Sequence, residues 1–325
     1  MLRATLLALG RSRLARKVVV GVPATRRMVA RFVPGETVSD VLAAARALAD
    51  DGLFVSIDFL GEDTRSLRQA DTVTDAYIDL VRRIGDEDLA DRVEVSVKLS
   101  ALGSLLTNGR DLALDNALAI CEAAAKAGTT VTVDAEDHTT TDTALEIVRA
   151  LRATYPETAA VIQAYLRRSK DDCRALADGR IRLCKGAYSE PKAVALQRKR
   201  DVDAAFLACM DILMRGTGRP MLATHDPRMI AGTIARARGL GRPLDSFEFQ
   251  MLYGIRSDEQ KRLAAAGHQV RVYVPFGTDW YGYFMRRLAE RPANLLFFFR
   301  ALATPEPRPK PEPKPRRSRR RRART

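Results

Sequence analysis

Short β-branched runs alternating with helical patterns organise most of the chain. Eight runs recur: LFVSIDFLG (53–61), VEVSVKLSALG (93–103), TVTVDAEDH (130–138), AVIQAYLRRS (160–169), IRLCKGAY (181–188), PMLATHD (220–226), FEFQMLYG (247–254) and QVRVYVPFG (269–277). Each ends in polar residues or glycine, and a stretch of helical spacing follows. The repeat of about 20–40 residues suits a strand plus a crossover helix. DLALDNALAICEAAAKAG predicts a helix from Asp111 to a stop at Gly128, TDTALEIVRALRATY predicts another, and PKAVALQRKRDVDAAFLACMDILM predicts a third that opens on Pro191. Eight such units in roughly 250 residues fit a (β/α)8 barrel. A doubly wound open sheet would carry a glycine-rich turn after its first strand. That turn reads FLGEDTRS here, and no GxGxxG occurs.

The flanks read differently. Residues 1–50 predict two or three helices, the last being ETVSDVLAAARALAD, and residues 51–303 the barrel. The stretch 304–325, with PEPRPKPEPKPRRSRRRRART, predicts disorder, because proline blocks both regular structures and like charges repel. Charge follows the same division. The net formal charge is +14, but residues 1–35 hold eight Lys/Arg and no Asp/Glu, and residues 305–325 hold ten Lys/Arg against two Glu. The body between them carries 36 basic and 38 acidic residues. A near-neutral body argues against a nucleic-acid-binding core, which needs positive charge on its folded surface.

Four cysteines (Cys121, Cys173, Cys184, Cys209) stand far apart without a CxxC pair, so reduced thiols in a cytoplasmic protein are expected and no metal site. No apolar run approaches the ~20 residues needed to span a bilayer. The N-terminal apolar stretch is short and lacks a small-residue cleavage site, which speaks against a secretory signal.

In a barrel of this type, chemistry sits at the carboxyl ends of the strands. The polar residues at the ends of the eight runs are Lys98, Asp134 with Glu136, Gln163, Arg182 with Lys185, His225, Gln250 and Tyr273. VSVKLS and IRLCKG each place a cation where an inward-pointing side chain belongs, and burying it requires an anionic partner or ligand. A second concentration is DWYGYFMRRLAERPANLLFFFR (279–300). On a helix Arg286 and Arg287 precede Glu290 by four and three residues, with Tyr281, Tyr283 and Phe284 one turn earlier. An aromatic wall beside two guanidinium groups suits a small molecule with a carboxylate and an apolar body. A solvated face held by ion pairs is the plainer reading of the same spacing.

VKLS, VDAEDH, QAYLRRS, RLCKGAY, ATHD, MLYG, VYVPFG and YFMRRLAERPAN occur together in this order, and the series resembles proline dehydrogenase from the RFVPGET segment to about Leu302. The resemblance implies a distorted (β/α)8 barrel binding FAD at the strand ends. It implies oxidation of L-proline to pyrroline-5-carboxylate, with electrons passed to a quinone-type acceptor and the product to a separate pyrroline-5-carboxylate dehydrogenase. Position by position, Arg286 and Arg287 resemble the substrate-carboxylate clamp, with Lys98 beside it. Asp134 resembles the acid that organises the cluster, and Arg182 the residue near flavin N5. Ala135, Gln163, Lys185, Gly186, Ala187, Thr224 and His225 fall on flavin-contact positions. Tyr188, Leu252 and Tyr283 resemble the walls of the proline pocket, Tyr273 its support, and Glu290 the glutamate after the arginine pair.

Two rival readings stand beside this one. A barrel lyase would use Lys98 or Lys185 as a Schiff base. A nucleic-acid or membrane-surface binder would act through RRSRRRRART. As an accessory role, the tail could hold a cytoplasmic enzyme near anionic lipid at the inner membrane face. His138 and His268 have no ligand-spaced partner, and Asp58 reads as supporting or simply polar.

Overall fold

Strand β2 (Val93–Val97) alternates valine with Glu94 and Ser96, yet every one of its residues is buried. Alternation usually marks a strand with one wet face. Here the polar face is turned into a closed cylinder instead. A computed structural model describes residues 29–61 and 64–290, with side chains through Met285. Strands β1 (Phe54–Phe59), β2, β3 (Val131–Val133), β4 (Ala159–Gln163), β5 (Arg180–Cys184), β6 (Arg219–Ala223), β7 (Glu248–Leu252) and β8 (Gln269–Phe276) pair in sequence order, all parallel. Pairing of β1 with β8, Val55 opposite Val272, closes the barrel.

Helices cover the outside: α1 (Val38–Asp50), α2 (Leu67–Asp86), α3 (Gly109–Ala127), α4 (Thr141–Arg152), α5 (Ser169–Leu176), α6 (Lys199–Arg215), α7 (Pro227–Gly239), α8 (Ser257–Ala265) and α9 (Trp280–Glu290). The apolar core lies between strands and helices, where Val55, Ile57, Val95, Val97, Ile181 and Leu183 meet helix residues such as Leu80, Ile84 and Ile120. A capping box of Thr37 with Asp40 starts α1, and α3 stops at Gly128 in the left-handed region (φ 79°), as its glycine predicts.

Two expectations need correction. The helix predicted from Pro191 begins only at Lys199, and the run 160–169 leaves the sheet after Gln163. Both changes have one cause. The Leu196 amide donates to Tyr165 O (2.8 Å) and the Arg167 amide to Val194 O (2.9 Å), so an antiparallel bridge of Leu166 to Ala195 takes a donor and an acceptor that a longer helix would use. Tyr165, Leu166 and Ala195 bury each other there. The helices expected over residues 1–28 and the disordered tail at 304–325 lie outside the described residues. Among the described residues no helix is long and apolar enough to cross a membrane.

Candidate active site

Inward positions of the strands carry charge rather than the branched apolar side chains that usually fill such barrels. Just past the end of β2, the Lys98 ammonium lies 2.6 Å from Asp58 Oδ1, 3.7 Å from Asp134 Oδ2 and 3.3 Å from the Tyr273 hydroxyl. The hydroxyl donates to Asp134 Oδ2 at 2.7 Å. Four strands therefore bring one cation, two carboxylates and a phenol together at the carboxyl end of the barrel.

Arg182 lies directly below. Its Nε donates to Gln250 Oε1 (2.5 Å), Nη1 to Asp134 Oδ1 (2.6 Å) and Ser96 Oγ (2.8 Å), and Nη2 to Ser56 Oγ (2.9 Å) and Glu94 Oε1 (3.4 Å). All five guanidinium N–H groups thus have acceptors from four other strands, and the side chain is buried. Burial works against its charge, but Asp134 and Glu94 more than compensate and raise its pKa. Burial pushes the Asp58 carboxyl above its ordinary range; Lys98 opposes that shift and Asp134 adds to it. Burial and then the Asp134 charge raise the Tyr273 phenol well above its ordinary value, so it remains a donor at neutral pH. At the end of β5 the Cys184 thiol is pushed up to about 11 by burial and stays protonated.

The rim is more open. After β5, Lys185 and Gly186 are half-buried and Ala187 and Tyr188 exposed. Lys185 Nζ sits between Asp203 Oδ1 (2.5 Å) and Asp226 Oδ2 (2.9 Å). Gly186 has φ 107°, and a Cβ there would strike the Tyr165 ring. After β6, Thr224 is buried, and His225 Nε2 accepts from the Leu252 amide at 2.9 Å. That bond places the proton of the neutral ring on Nδ1. Gln163 donates to Glu136 O (2.7 Å) beside half-buried Ala135, and Glu136 accepts from the Ser100 amide (2.9 Å) and hydroxyl.

Helix α9 follows β8 at this end. Trp280, Tyr281, Tyr283, Phe284 and Met285 pack with Val29, Phe32, Val33 and with Leu60 at the end of β1, and Trp280 Nε1 donates to Glu36 (2.8 Å). Its aromatic residues are therefore packed in an apolar cluster. Arg286, Arg287 and Glu290 occupy the next turns; their side chains lie outside the described residues.

The strand-end residues Lys98, Asp134, Arg182 and Tyr273 thus meet in one cluster, whereas Lys185 belongs to a separate charged group with Asp203 and Asp226. Sequence reading left Asp58 open and missed Glu94, Glu248, Arg180 and Arg271 inside the barrel, although each stands at an alternate strand position like Lys98. His138 pairs through Nδ1 with buried Glu190, and His268 packs on Phe247 and Phe249. Among the described residues no group of His, Cys, Asp and Glu could hold a metal ion.

Comparison with known proteins adds the following. Residues 41–299 match the Proline dehydrogenase family. The chain is 39% identical over 280 residues to proline dehydrogenase 1 of Bacillus subtilis, covering 86% of this chain and 91% of that one. It is 41% identical over 274 residues to proline dehydrogenase of Deinococcus radiodurans, covering 82% and 87%. Among solved structures, proline utilization A from Bdellovibrio bacteriovorus inactivated by N-propargylglycine aligns with a TM-score of 0.75 at 26% identity, over 81% of this chain and 32% of that longer chain.

Proposed function

Because the chain belongs to the proline dehydrogenase family, we propose that it oxidises L-proline to pyrroline-5-carboxylate by hydride transfer to FAD held at the carboxyl end of its barrel. Membership makes it an oxidoreductase acting on proline; the cofactor, the residue roles and the acceptor belong to the proposal. The observation that carries it is the Lys98–Asp134–Arg182–Tyr273 cluster, a fixed field of mixed charge at the carboxyl end of the barrel.

The rim residues fit a flavin. At Gly186 the missing side chain and the positive φ let the backbone fold back on Tyr165, so the Lys185–Tyr188 loop lies open at the mouth. Lys185, Gly186 and Ala187, with Ala135, Gln163, Thr224 and His225, would hold the group, and Arg182 would face its ring. FAD, when bound, supplies the two-electron chemistry. Arg286 and Arg287 clamp the proline carboxylate, with Lys98 as the third positive group, and Glu290 steadies the pair. Asp134, fixed by Arg182 and Tyr273, orients that cation cluster. Tyr188, Leu252 and Tyr283 wall the ring and exclude water. Holding proline in one orientation is the protein's main contribution, because orientation alone removes several kcal/mol from a barrier.

The lyase reading has less support. A Schiff-base lysine needs an amine free to attack a carbonyl, whereas Lys98 and Lys185 are each ion-paired with two carboxylates. Reduced flavin would pass its electrons to a quinone-type acceptor, with the basic tail near anionic lipid, and the product would go to a separate dehydrogenase. The purified protein should be yellow, and anaerobic L-proline should bleach the flavin band. Colourless protein that traps an imine with borohydride would overturn the proposal.

A further inference from the structure

Beneath Arg182 the charged column continues toward the amino end of the barrel. Glu94 Oε2 lies 2.6 Å from Arg180 Nη2, and Glu94 Oε1 lies 2.9 Å from Thr132 Oγ1, 3.4 Å from Arg182 Nη2 and 3.8 Å from Arg271 Nε. Arg271 also pairs with Glu248 (2.7 Å), and Gln250 links Glu248 (2.6 Å) back to Arg182. Glu94 is buried and in contact with three arginines. Burial opposes its ionisation, but Arg271, Arg180 and Arg182 outweigh that and hold its carboxyl well below the usual range. Lys98, Arg180, Arg182 and Arg271 are thereby matched by Asp58, Glu94, Asp134 and Glu248.

Stability alone does not account for such a column. Apolar side chains fill barrel interiors without a desolvation penalty, and replacing buried ion pairs with them is often neutral or favourable. Near the column's upper end, just below Lys98 and Asp134, lies the guanidinium that the proposed function sets against the flavin. Resting on that reading, the geometry points to Glu94 as a positioning residue for the reaction: from below, it fixes where the Arg182 charge sits and how much of its field reaches the mouth. Glu94 itself touches neither substrate nor flavin. Removing its charge leaves Arg182 held by Asp134, Gln250 and two serines but leaves the interior one positive charge in excess. The mouth then favours a negatively charged flavin ring more strongly.

Sulfite reports this directly in the FAD-loaded protein. Its sulfur electron pair forms one bond to the oxidised ring, the negative charge passes to the ring, and the visible band bleaches. Glu94→Gln should tighten sulfite binding by about tenfold, the effect of one partly screened charge at close range, and should raise the flavin midpoint potential. Glu94→Asp, which keeps the charge, should bind sulfite as the unmodified protein does. Arg271→Gln removes a positive charge from the same carboxylate and should weaken sulfite binding, so the sign of the effect can be read even if Glu94→Gln does not fold. A folded, flavin-loaded Glu94→Gln protein with unchanged sulfite affinity and potential would reduce Glu94 to a packing element and sink the inference. The same holds if Arg271→Gln shifts sulfite affinity in the same direction as Glu94→Gln. If the unmodified protein holds no flavin, the proposed function falls and takes this inference with it; if it reduces flavin with proline and only the Glu94 result fails, the function stands.

Discussion

The Tyr273 hydroxyl donates to Asp134 Oδ2 across 2.7 Å while Arg182 holds Oδ1 at 2.6 Å. The carboxylate is thus fixed from β8 and β5 at once. Tyr273→Phe keeps the ring 5.3 Å from the Arg182 guanidinium carbon and removes only the hydroxyl. A hydrogen bond to a buried charge contributes about 1.5–3 kcal/mol, so kcat/KM for proline should fall roughly ten- to hundredfold. Steady-state kinetics with a soluble acceptor test this. An unchanged kcat/KM would detach the hydroxyl from the reaction.

Arg182→Lys should be far from conservative. The guanidinium satisfies acceptors on Gln250, Asp134, Ser96, Ser56 and Glu94, and an ammonium has three donors on a different geometry. At least two buried acceptors lose a partner, each costing about 1–3 kcal/mol. Thermal unfolding should therefore show a drop on the order of 3 kcal/mol even without bound flavin. A melting curve unchanged from the unmodified protein would mean that solvent replaces the lost bonds.

Arg286→Met and Arg287→Met examine the clamp on α9. Each should raise KM for proline strongly, with kcat less affected, because the carboxylate is held before and during the chemical step alike. A KM that stays put in either variant removes that arginine from the clamp.

The barrel was legible because eight apolar runs at regular spacing leave few other topologies, and the strand-end rule located Lys98, Asp134, Arg182 and Tyr273. The layer beneath was not. Glu94, Glu248 and Arg271 follow the period-two pattern, but that pattern equally describes a strand with a wet face. Only closure of β8 on β1 turns those positions inward, and closure is a long-range fact. The late start of α6 was not legible for a related reason: Pro191 is a good first helical residue, and the bridge from Ala195 is to Leu166, 29 residues upstream. Pairings such as Asp203 on α6 with Lys185 in the loop after β5 join separate segments and leave no local signal.

Gly186 tests the rim loop. Its φ of 107° is strained for any residue with a side chain, and an added methyl would strike the Tyr165 ring, which packs with Leu166 and Ala195 and reaches Glu190 through its hydroxyl. Gly186→Ala should cost about 1–3 kcal/mol of stability and lower flavin occupancy, since the same loop carries Lys185, Ala187 and Tyr188. Gly239→Ala is the control: nothing lies within 4 Å of its added carbon, and its φ is ordinary. Flavin content of the two purified variants separates a local effect from a general one.

Acid sensitivity should be traceable to Asp203, which accepts from Lys185 (2.5 Å), Lys199 (2.5 Å) and Arg228 (2.8 Å). Burial pushes its carboxyl up, but the lysines prevail and bring it down to about 2 from the ordinary 3.8. A folded pKa below the unfolded one means the stabilisation is complete above the ordinary carboxylate value and is lost as pH falls through the lower one. Lys199 and Arg228 are largely exposed, so screening reduces the contribution to roughly 1 kcal/mol. The unfolding free-energy difference between the unmodified protein and Asp203→Asn should stay level from neutral pH to about 5 and shrink between about 4 and 2. High salt should narrow it throughout, because two of the three cations face water. Urea titrations over that range decide the matter: a difference that persists undiminished at the acid end would show that Asp203 ionises no more easily in the fold than in the open chain.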